Sequence, residues 1–131
     1  MSEIAILVAE DERHTRDAIS LLLENAGYEV FLADTGKEAV EIIDRFHQAG
    51  TSIGLLILDI EMSGLTGAQV LESVRSQGDL TPAIVITGLT RIELPARLLA
   101  KGHIEILPKP FDPEQLVSAV SRALGRAEGG I

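Results

Sequence analysis

The chain has 131 residues, of which 46% are hydrophobic, and a formal net charge of −9 from 11 basic and 20 acidic residues. This size and composition are typical of one globular domain with a single packed core, and they exclude wholesale disorder. The acidic balance argues against direct binding to nucleic acid, and the absence of cysteine excludes a disulfide scaffold, a thiolate metal site and thiol catalysis.

The chain begins with MSEIAILVAEDE, in which a short apolar run is flanked by acids. This pattern fits neither a signal peptide nor a membrane span, so we expect a cytoplasmic protein without membrane contact. The apolar run, Ile4 to Ala9, predicts the first strand, and the acids Glu10 and Asp11 follow it directly. Apolar residues then recur at helical spacing from His14 to Ala26, and Gly27 ends this helix.

The next elements lead to the apolar run that ends in Asp59. Tyr28 to Ala33 is the second predicted strand. Thr35 and Glu38 have the spacing of a capping box and predict a helix that ends near Gly50. Leu55 to Asp59 is a continuous apolar run that ends in an acid, which is typical of a strand buried on both faces of a parallel sheet.

The second half of the chain continues the alternation. A helix is predicted over Ala68 to Gln77, and a fourth strand over Ala83 to Thr87. The helix that follows, Arg91 to Lys101, contains Pro95, so we expect it to be short, late-starting or irregular. His103 to Leu107 is the fifth predicted strand.

The last helix has a complete start signal, with Asp112 as N-cap, Pro113 at N1 and Gln115 as the N3 acceptor. We expect a single domain over residues 1–131, with a core from about 4 to 124 and a short frayed tail over 125–131. Five strands alternating with five helices require a parallel sheet covered on both faces, a three-layer α/β fold. The doubly wound, flavodoxin-like strand order 2-1-3-4-5 is favoured.

This strand order would bring polar residues from four strand ends to one edge of the sheet. Glu10, Asp11 and Asp59 converge there, with Thr87 and Lys109 nearby. Carboxylates about 4 Å apart repel each other by on the order of 4 kcal/mol per pair at an effective dielectric near 20. Oxygen ligands favour Mg²⁺ as the offsetting cation, and shared protons with raised pKa values are the alternative.

A Mg²⁺ ion beside a carboxylate, a hydroxyl and a lysine suits phosphoryl transfer. Asp59 would be the nucleophile and would form an acyl phosphate. The cation and Lys109 would offset charge on the phosphoryl oxygens, and Thr87 would donate a hydrogen bond to one of them.

The segments LVAEDE, LLILDIEMSGLTG, IVITG and LPKPF resemble, in order and spacing, those of response-regulator receiver domains of two-component signalling, over residues 4 to 124. The resemblance implies a phosphoacceptor domain that is not an enzyme acting on a separate substrate. It implies that Asp59 is phosphorylated by a histidine kinase or phosphotransfer protein, which changes affinity for an unknown downstream protein. A homodimer through the fourth helix, fifth strand and fifth helix is a further partner that it allows.

The resemblance also implies individual roles. Asp11 would bind Mg²⁺ directly, Glu10 mainly through water, and Glu61 through its backbone carbonyl. Thr87 and Lys109 would be the switch hydroxyl and the family's lysine, with a cis peptide bond before Pro110. Glu61 would flank the water that attacks the phosphoryl group, and the domain would assist its own phosphorylation and dephosphorylation.

Three alternatives remain open on the sequence. They are a receiver-like interaction module that works without phosphorylation, a small Mg²⁺-dependent phosphatase with Asp59 as nucleophile, and a flavodoxin-like cofactor binder. The chain has no room for a substrate-capping domain, and acids stand where a cofactor phosphate loop would follow the first strand. His14, His47 and His103 are dispersed, which favours surface or helix-end roles over metal binding.

Several positions depart from the usual receiver pattern. Glu10 replaces a commoner aspartate, Ser63 stands where proline is usual, and Thr66 stands where an acid is frequent. Ile106 occupies the fifth-strand position at which receivers usually carry Tyr or Phe, so the ring that would move inward on activation is absent.

We therefore expect switching to rely on the loop after Thr87 and on the helix weakened by Pro95. Structures with and without a phosphoryl mimic would differ in that loop and helix. An unmoved loop and helix would contradict this prediction.

Overall fold

The computed structural model describes residues 3–88 and 94–127. Within these ranges five strands and five helices alternate along the chain. The strands are β1 Ala5–Ala9, β2 Glu29–Ala33, β3 Leu55–Asp59, β4 Ala83–Thr87 and β5 Ile104–Pro108. The helices are α1 Arg13–Asn25, α2 Gly36–Gln48, α3 Gly67–Ser76, α4 Ala96–Ala100 and α5 Pro113–Ala127. In the described part of the chain, no helix combines the length and apolar character needed to cross a membrane.

The five strands form one parallel sheet in the order β2-β1-β3-β4-β5. The predicted flavodoxin-like order is therefore confirmed. All residues of β1, β3 and β4 are buried, as the continuous apolar runs predicted. Because β1 lies between β2 and β3, the carboxyl ends of β1 and β3 are neighbours at the point where the strand order reverses.

Two apolar clusters cover the two faces of the sheet and produce three layers. One face packs against α2, α3 and α4, through residues such as Ile43, Leu71 and Leu98. The other face packs against α1 and α5, through residues such as Leu23 and Leu116. Alternate residues of each central strand enter opposite clusters, which explains why these strands have no polar face.

The bounds of α4 and α5 can be compared with those predicted from the sequence. Pro95 is the N-cap of α4, which covers only Ala96–Ala100, so the late and short helix is confirmed where the chain is described. Residues 91–93 of the predicted helix lie outside the described residues. The expectation of a tail from residue 125 is wrong for 125–127, because α5 continues through Ala127. Residues 128–131 are not among those described.

Helix starts follow the predicted caps with one difference. Asp112 and Gln115 exchange both hydrogen bonds of a capping box, each at 2.8 Å. The Thr35 hydroxyl accepts from Glu38 N–H at 3.1 Å, but the Glu38 carboxylate accepts from the N–H of Asp34, not of Thr35. At α2 the second hydrogen bond of the expected capping box therefore comes from the N–H of the residue before the N-cap.

The amino end of the sheet is held by a polar cluster around Asp79. His47, in the last turn of α2, lies 2.7 Å from Asp79 Oδ2, which confirms a helix-end role for this histidine. Thr81 donates to Asp79 Oδ1 from both its backbone and its hydroxyl. Burial acts to raise the pKa of Asp79, but these hydrogen bonds outweigh it and lower the pKa. The buried Arg75 donates to the carbonyls of Asp79, Gly102 and His103.

Candidate functional site

The carboxyl edge of the sheet carries three nearly inaccessible polar side chains. Glu10 directly follows β1, Asp59 ends β3 and Thr87 ends β4, and each is 1% exposed. The parallel register places Asp59 beside Ile86, one residue before Thr87. A polar group buried to this extent is costly unless it has partners, so the three side chains mark this edge as a built site.

Lys109 enters the site from the end of β5. Its Nζ lies 2.7 Å from Asp59 Oδ2 and 3.1 Å from Glu10 Oε1. Its backbone N–H donates to the Thr87 carbonyl at 2.6 Å, and the peptide bond to Pro110 is cis, as the resemblance implied. Burial acts to lower the pKa of Lys109, but hydrogen bonds to Asp59 and Glu10 outweigh it and raise the pKa, so the ammonium is charged at neutral pH.

The acids form a cluster that a divalent cation would fit. One oxygen from each of Glu10, Asp11 and Asp59 lies within 4.8 Å of the others. Glu10 Oε1 is buried and makes no well-aligned hydrogen bond, despite its closeness to Lys109 Nζ. Three carboxylates facing one lysine leave an excess of negative charge, and an oxygen donor set of this kind suits Mg²⁺.

Burial of Glu10 gives the acid cluster a second way to reduce its charge. Burial raises the pKa of Glu10 to about 7, and Asp59 adds to the effect, while the Glu12 N–H and Lys109 act in the opposite direction. Protonation of Glu10 would thus relieve part of the repulsion. A bound cation would favour the ionised form of Glu10 instead.

Residues around Glu10 that the sequence interpretation missed hold it in place. The Glu12 N–H donates to Glu10 Oε2 at 3.0 Å, and Arg16 Nη1 donates to the Glu10 carbonyl at 3.0 Å. Glu12 is also the N-cap of α1 and accepts from the N–H groups of His14 and Thr15. Hydrogen bonds from Thr15 first, and then from His14, lower the pKa of Glu12 to about 2. The available signal was the acid directly before a helix start.

The loop after β3 fixes the backbone of Asp59. Asp59 Oδ1 accepts from the Glu61 N–H at 2.8 Å. A Cβ atom at Gly67 would lie 2.5 Å from the Asp59 carbonyl oxygen, so glycine allows α3 to begin directly against the strand. Thr66 and Gln69 form a complete capping box at this helix start. The box was not predicted, although the T-x-x-Q spacing is present in the sequence.

The structure therefore brings Glu10, Asp11, Asp59 and Lys109 together, with Thr87 on the adjoining strand end. Glu61 lies at the rim, where its exposed side chain contacts Gly88. Gly88 was not among the predicted site residues, because a glycine after a strand carries no chemical signal of its own.

An apolar cavity of about 640 Å³ opens beside the acidic pocket. One side consists of residues of α1 between His14 and Leu22, and the other includes Lys109, Pro110 and Phe111. Lys109 is thus shared between the cavity and the acidic pocket.

Comparison with known sequences supports the same interpretation of the site as its geometry does. The family model of the response regulator receiver domain matches residues 6–121. The chain is 28% identical over 123 residues to the transcriptional regulatory protein FixJ of Bradyrhizobium diazoefficiens, covering 94% of this chain and 58% of that protein. It is 34% identical over 125 residues to the response regulator MprA of Mycobacterium ulcerans, covering 95% of this chain and 52% of that protein. The chain spans about half the length of these relatives.

A solved structure has the same fold over nearly its whole length. The crystal structure of a CheY-like response regulator receiver domain protein from Methanospirillum hungatei JF-1 matches with a TM-score of 0.84 and 26% identity. The match covers 97% of this chain and 98% of that one.

The chain belongs to the response regulator receiver family of two-component systems. Domains of this family are phosphoacceptor signalling domains, generally bind Mg²⁺ through an acidic pocket, and interact with kinases and downstream effectors. The expectation that nucleic acid is not a partner finds no support among these relatives, since FixJ is named a transcriptional regulator. That expectation stays a prediction drawn from the charge of residues 1–131.

Mg²⁺ should stabilise the folded protein, because the folded acid cluster would bind the cation and the unfolded chain has no such site. Thermal unfolding should shift upward with Mg²⁺ concentration, with a stabilisation of about 2.7 kcal/mol at 100 times the dissociation constant. Asp11→Asn, at an exposed position, should raise the half-saturating Mg²⁺ concentration by about tenfold or more. Glu41→Gln, an exposed acid on α2, is the charge-matched control. Equal Mg²⁺ stabilisation of the wild type and Asp11→Asn would contradict the site.

Proposed function

We propose that this chain accepts a phosphoryl group on Asp59 from a histidine-phosphorylated kinase or phosphotransfer protein, in a Mg²⁺-dependent reaction, and thereby changes its affinity for a downstream protein. The observation that carries the proposal is the 2.7 Å contact between Lys109 Nζ and Asp59 Oδ2 in a pocket shared with two further acids. A buried carboxylate held by a single lysine has both a nucleophilic oxygen and a neighbouring cation for the incoming oxygens.

Each residue of the pocket would have its own role in the phosphoryl transfer. A carboxylate oxygen of Asp59 forms a bond to phosphorus while the bond from phosphorus to the donor's imidazole nitrogen breaks. That nitrogen keeps the electron pair of the broken bond, and the imidazole leaves as a neutral group with the proton on its other ring nitrogen. Lys109 would turn from the carboxylate toward the phosphoryl oxygens, and Thr87 would donate its hydroxyl hydrogen to one of them. Glu10, Asp11 and Asp59, with the Glu61 carbonyl, would hold Mg²⁺, which supplies positive charge to the transferred group.

Dephosphorylation is part of the same proposal. The Glu61 carboxylate lies at the rim of the pocket, where water would approach the acyl phosphate. Glu61 would thus tune the lifetime of the phosphoryl group by its effect on that water.

Incubation with a small phosphodonor such as acetyl phosphate should add one phosphoryl group in the presence of Mg²⁺, as measured by intact mass. The gain should vanish in Asp59→Asn, which keeps the side-chain shape but removes the nucleophilic charge. Decay of the added mass after donor removal gives the lifetime, which Glu61→Ala should lengthen. No gain in folded, Mg²⁺-binding protein would favour the phosphorylation-independent interaction module.

The apolar cavity beside Lys109 supports a protein as the phosphodonor. A phosphohistidine must reach Asp59 past Lys109, and the α1 side of the cavity offers an apolar surface next to that path. We assign this surface to a helix of the donor that carries the phosphohistidine, because an apolar groove beside a polar site is the usual way to dock an amphipathic helix. A homodimer through α4, β5 and α5, and a cytoplasmic location, stay predictions of the sequence.

Ala18→Arg, at an exposed position lining the cavity, should slow transfer from a histidine-phosphorylated donor protein by about tenfold, corresponding to ~1.4 kcal/mol. The rate with acetyl phosphate should stay unchanged, because the small donor needs no docking surface. Leu21→Arg is the matched control, since Leu21 is exposed on the same helix and does not line the cavity. Equal slowing by both substitutions, or by neither, would contradict this docking surface.

A further inference from the structure

The Glu61 side chain connects the phosphoacceptor loop to the end of β4. Its backbone N–H is bonded to Asp59 Oδ1 at 2.8 Å, so the start of the side chain is fixed relative to the acceptor. From there the carboxylate reaches across to the next strand, where Oε1 accepts from the Gly88 N–H at 3.3 Å. A Cβ atom built on Gly88 would lie 3.4 Å from the same oxygen, so the carboxylate also packs against the glycine itself.

The Gly88 N–H lies just past the end of β4, the strand that pairs with the Asp59 strand. The register pairs Asp59 with Ile86, and Gly88 is the second residue beyond it, directly after Thr87. The Lys109 N–H holds the Thr87 carbonyl, so the backbone that leads to Gly88 is fixed on its other side. In the unphosphorylated protein this donor is already bound to a carboxylate.

A phosphoryl group on Asp59 adds negative charge close to the Glu61 carboxylate, and its oxygens require hydrogen-bond donors. Like charges at such short range repel strongly, and N–H donors bind anions better than neutral acceptors. The carboxylate and the phosphoryl group would thus be two anions that compete for one hydrogen-bond donor, the Gly88 N–H.

We propose that the Glu61 carboxylate is a built-in competitor of the phosphoryl group for the Gly88 N–H, which holds the end of β4 in its unphosphorylated arrangement and is displaced when Asp59 is modified. This inference rests on the proposed function and adds a positioning role for Glu61 that is separate from its effect on water. Since a ligand shifts an equilibrium only through its different affinity for the two states, removing the competitor must tighten binding of the phosphoryl group or its mimic.

Trifluoroberyllate, in which beryllium becomes tetrahedral when it bonds to a carboxylate oxygen, is the probe. It would be titrated into isotopically labelled wild-type protein, Glu61→Ala, Glu61→Gln and the exposed-acid control Glu41→Gln, each in saturating Mg²⁺. Amide spectra give the half-saturating probe concentration and the Gly88 signal in the same experiment. The Gly88 signal reports the hydrogen bond itself, which a general change in stability or charge would leave in place.

Glu61→Ala should bind the probe between about three- and tenfold more tightly than the wild type. Glu61→Gln should lie between them, because its amide oxygen still accepts from Gly88 but carries no charge, and Glu41→Gln should match the wild type. Without the probe, the Gly88 signal should move in Glu61→Ala toward its position in the probe-bound wild type.

Equal or weaker probe binding by Glu61→Ala would overturn the inference, since the carboxylate would then be neutral toward the phosphoryl group or would support the cation. An unmoved Gly88 signal in that variant would overturn it as well. If none of the four proteins binds the probe, the proposed function fails and the inference with it, whereas a wrong order among binding proteins refutes the inference alone.

Discussion

Two carboxylates, those of Glu10 and Asp59, are buried at the ends of adjacent parallel strands, and the chemistry of the domain follows from that constraint. Water cannot screen them, so their repulsion has to be offset by the protein, by protons or by a cation. Lys109 offsets part of it through its contacts with both acids. The remaining excess of negative charge, together with the lack of a well-aligned hydrogen bond to Glu10 Oε1, is what makes the pocket suited to a divalent cation and, with it, to an incoming phosphoryl group.

The rest of the fold keeps these groups at fixed separations. The acidic edge depends on close backbone approach, as at Gly67, where α3 begins directly against Asp59. The opposite edge is held by a network of hydrogen bonds around Asp79, whose carbonyl accepts from the buried Arg75. A sheet held firmly at its amino end leaves the loops at its carboxyl end as the part that can respond to charge.

The position of the Glu61 charge at the rim indicates how the proposed phosphorylation would change the structure. Glu61 is bonded to the acceptor through its backbone and to Gly88 through its side chain, so it is in contact with both strand ends. Ile106, by contrast, is 43% exposed on β5 and carries no ring that could move inward. A response that begins at Gly88 needs no aromatic side chain on β5, which is consistent with the departure of this chain from the usual receiver pattern.

The strands could be predicted from the sequence because continuous apolar runs, such as those that end before Glu10 and at Asp59, are explained by burial alone. Their alternation with helices favoured the observed strand order, which places Glu10, Asp11, Asp59 and Lys109 at one edge of the sheet. The α5 cap and the short α4 could also be predicted, since the Asp112 side chain accepts from a backbone N–H only three residues away and Pro95 restricts its own backbone. The contacts that side chains make between elements could be seen only in the folded structure. The bonds of Arg16 to the Glu10 carbonyl, of Glu61 to Gly88 and of His47 to Asp79 join residues whose sequence separation carries no period. Periodicity reports which face of an element is buried, whereas these contacts depend on distances that exist only after the elements have packed.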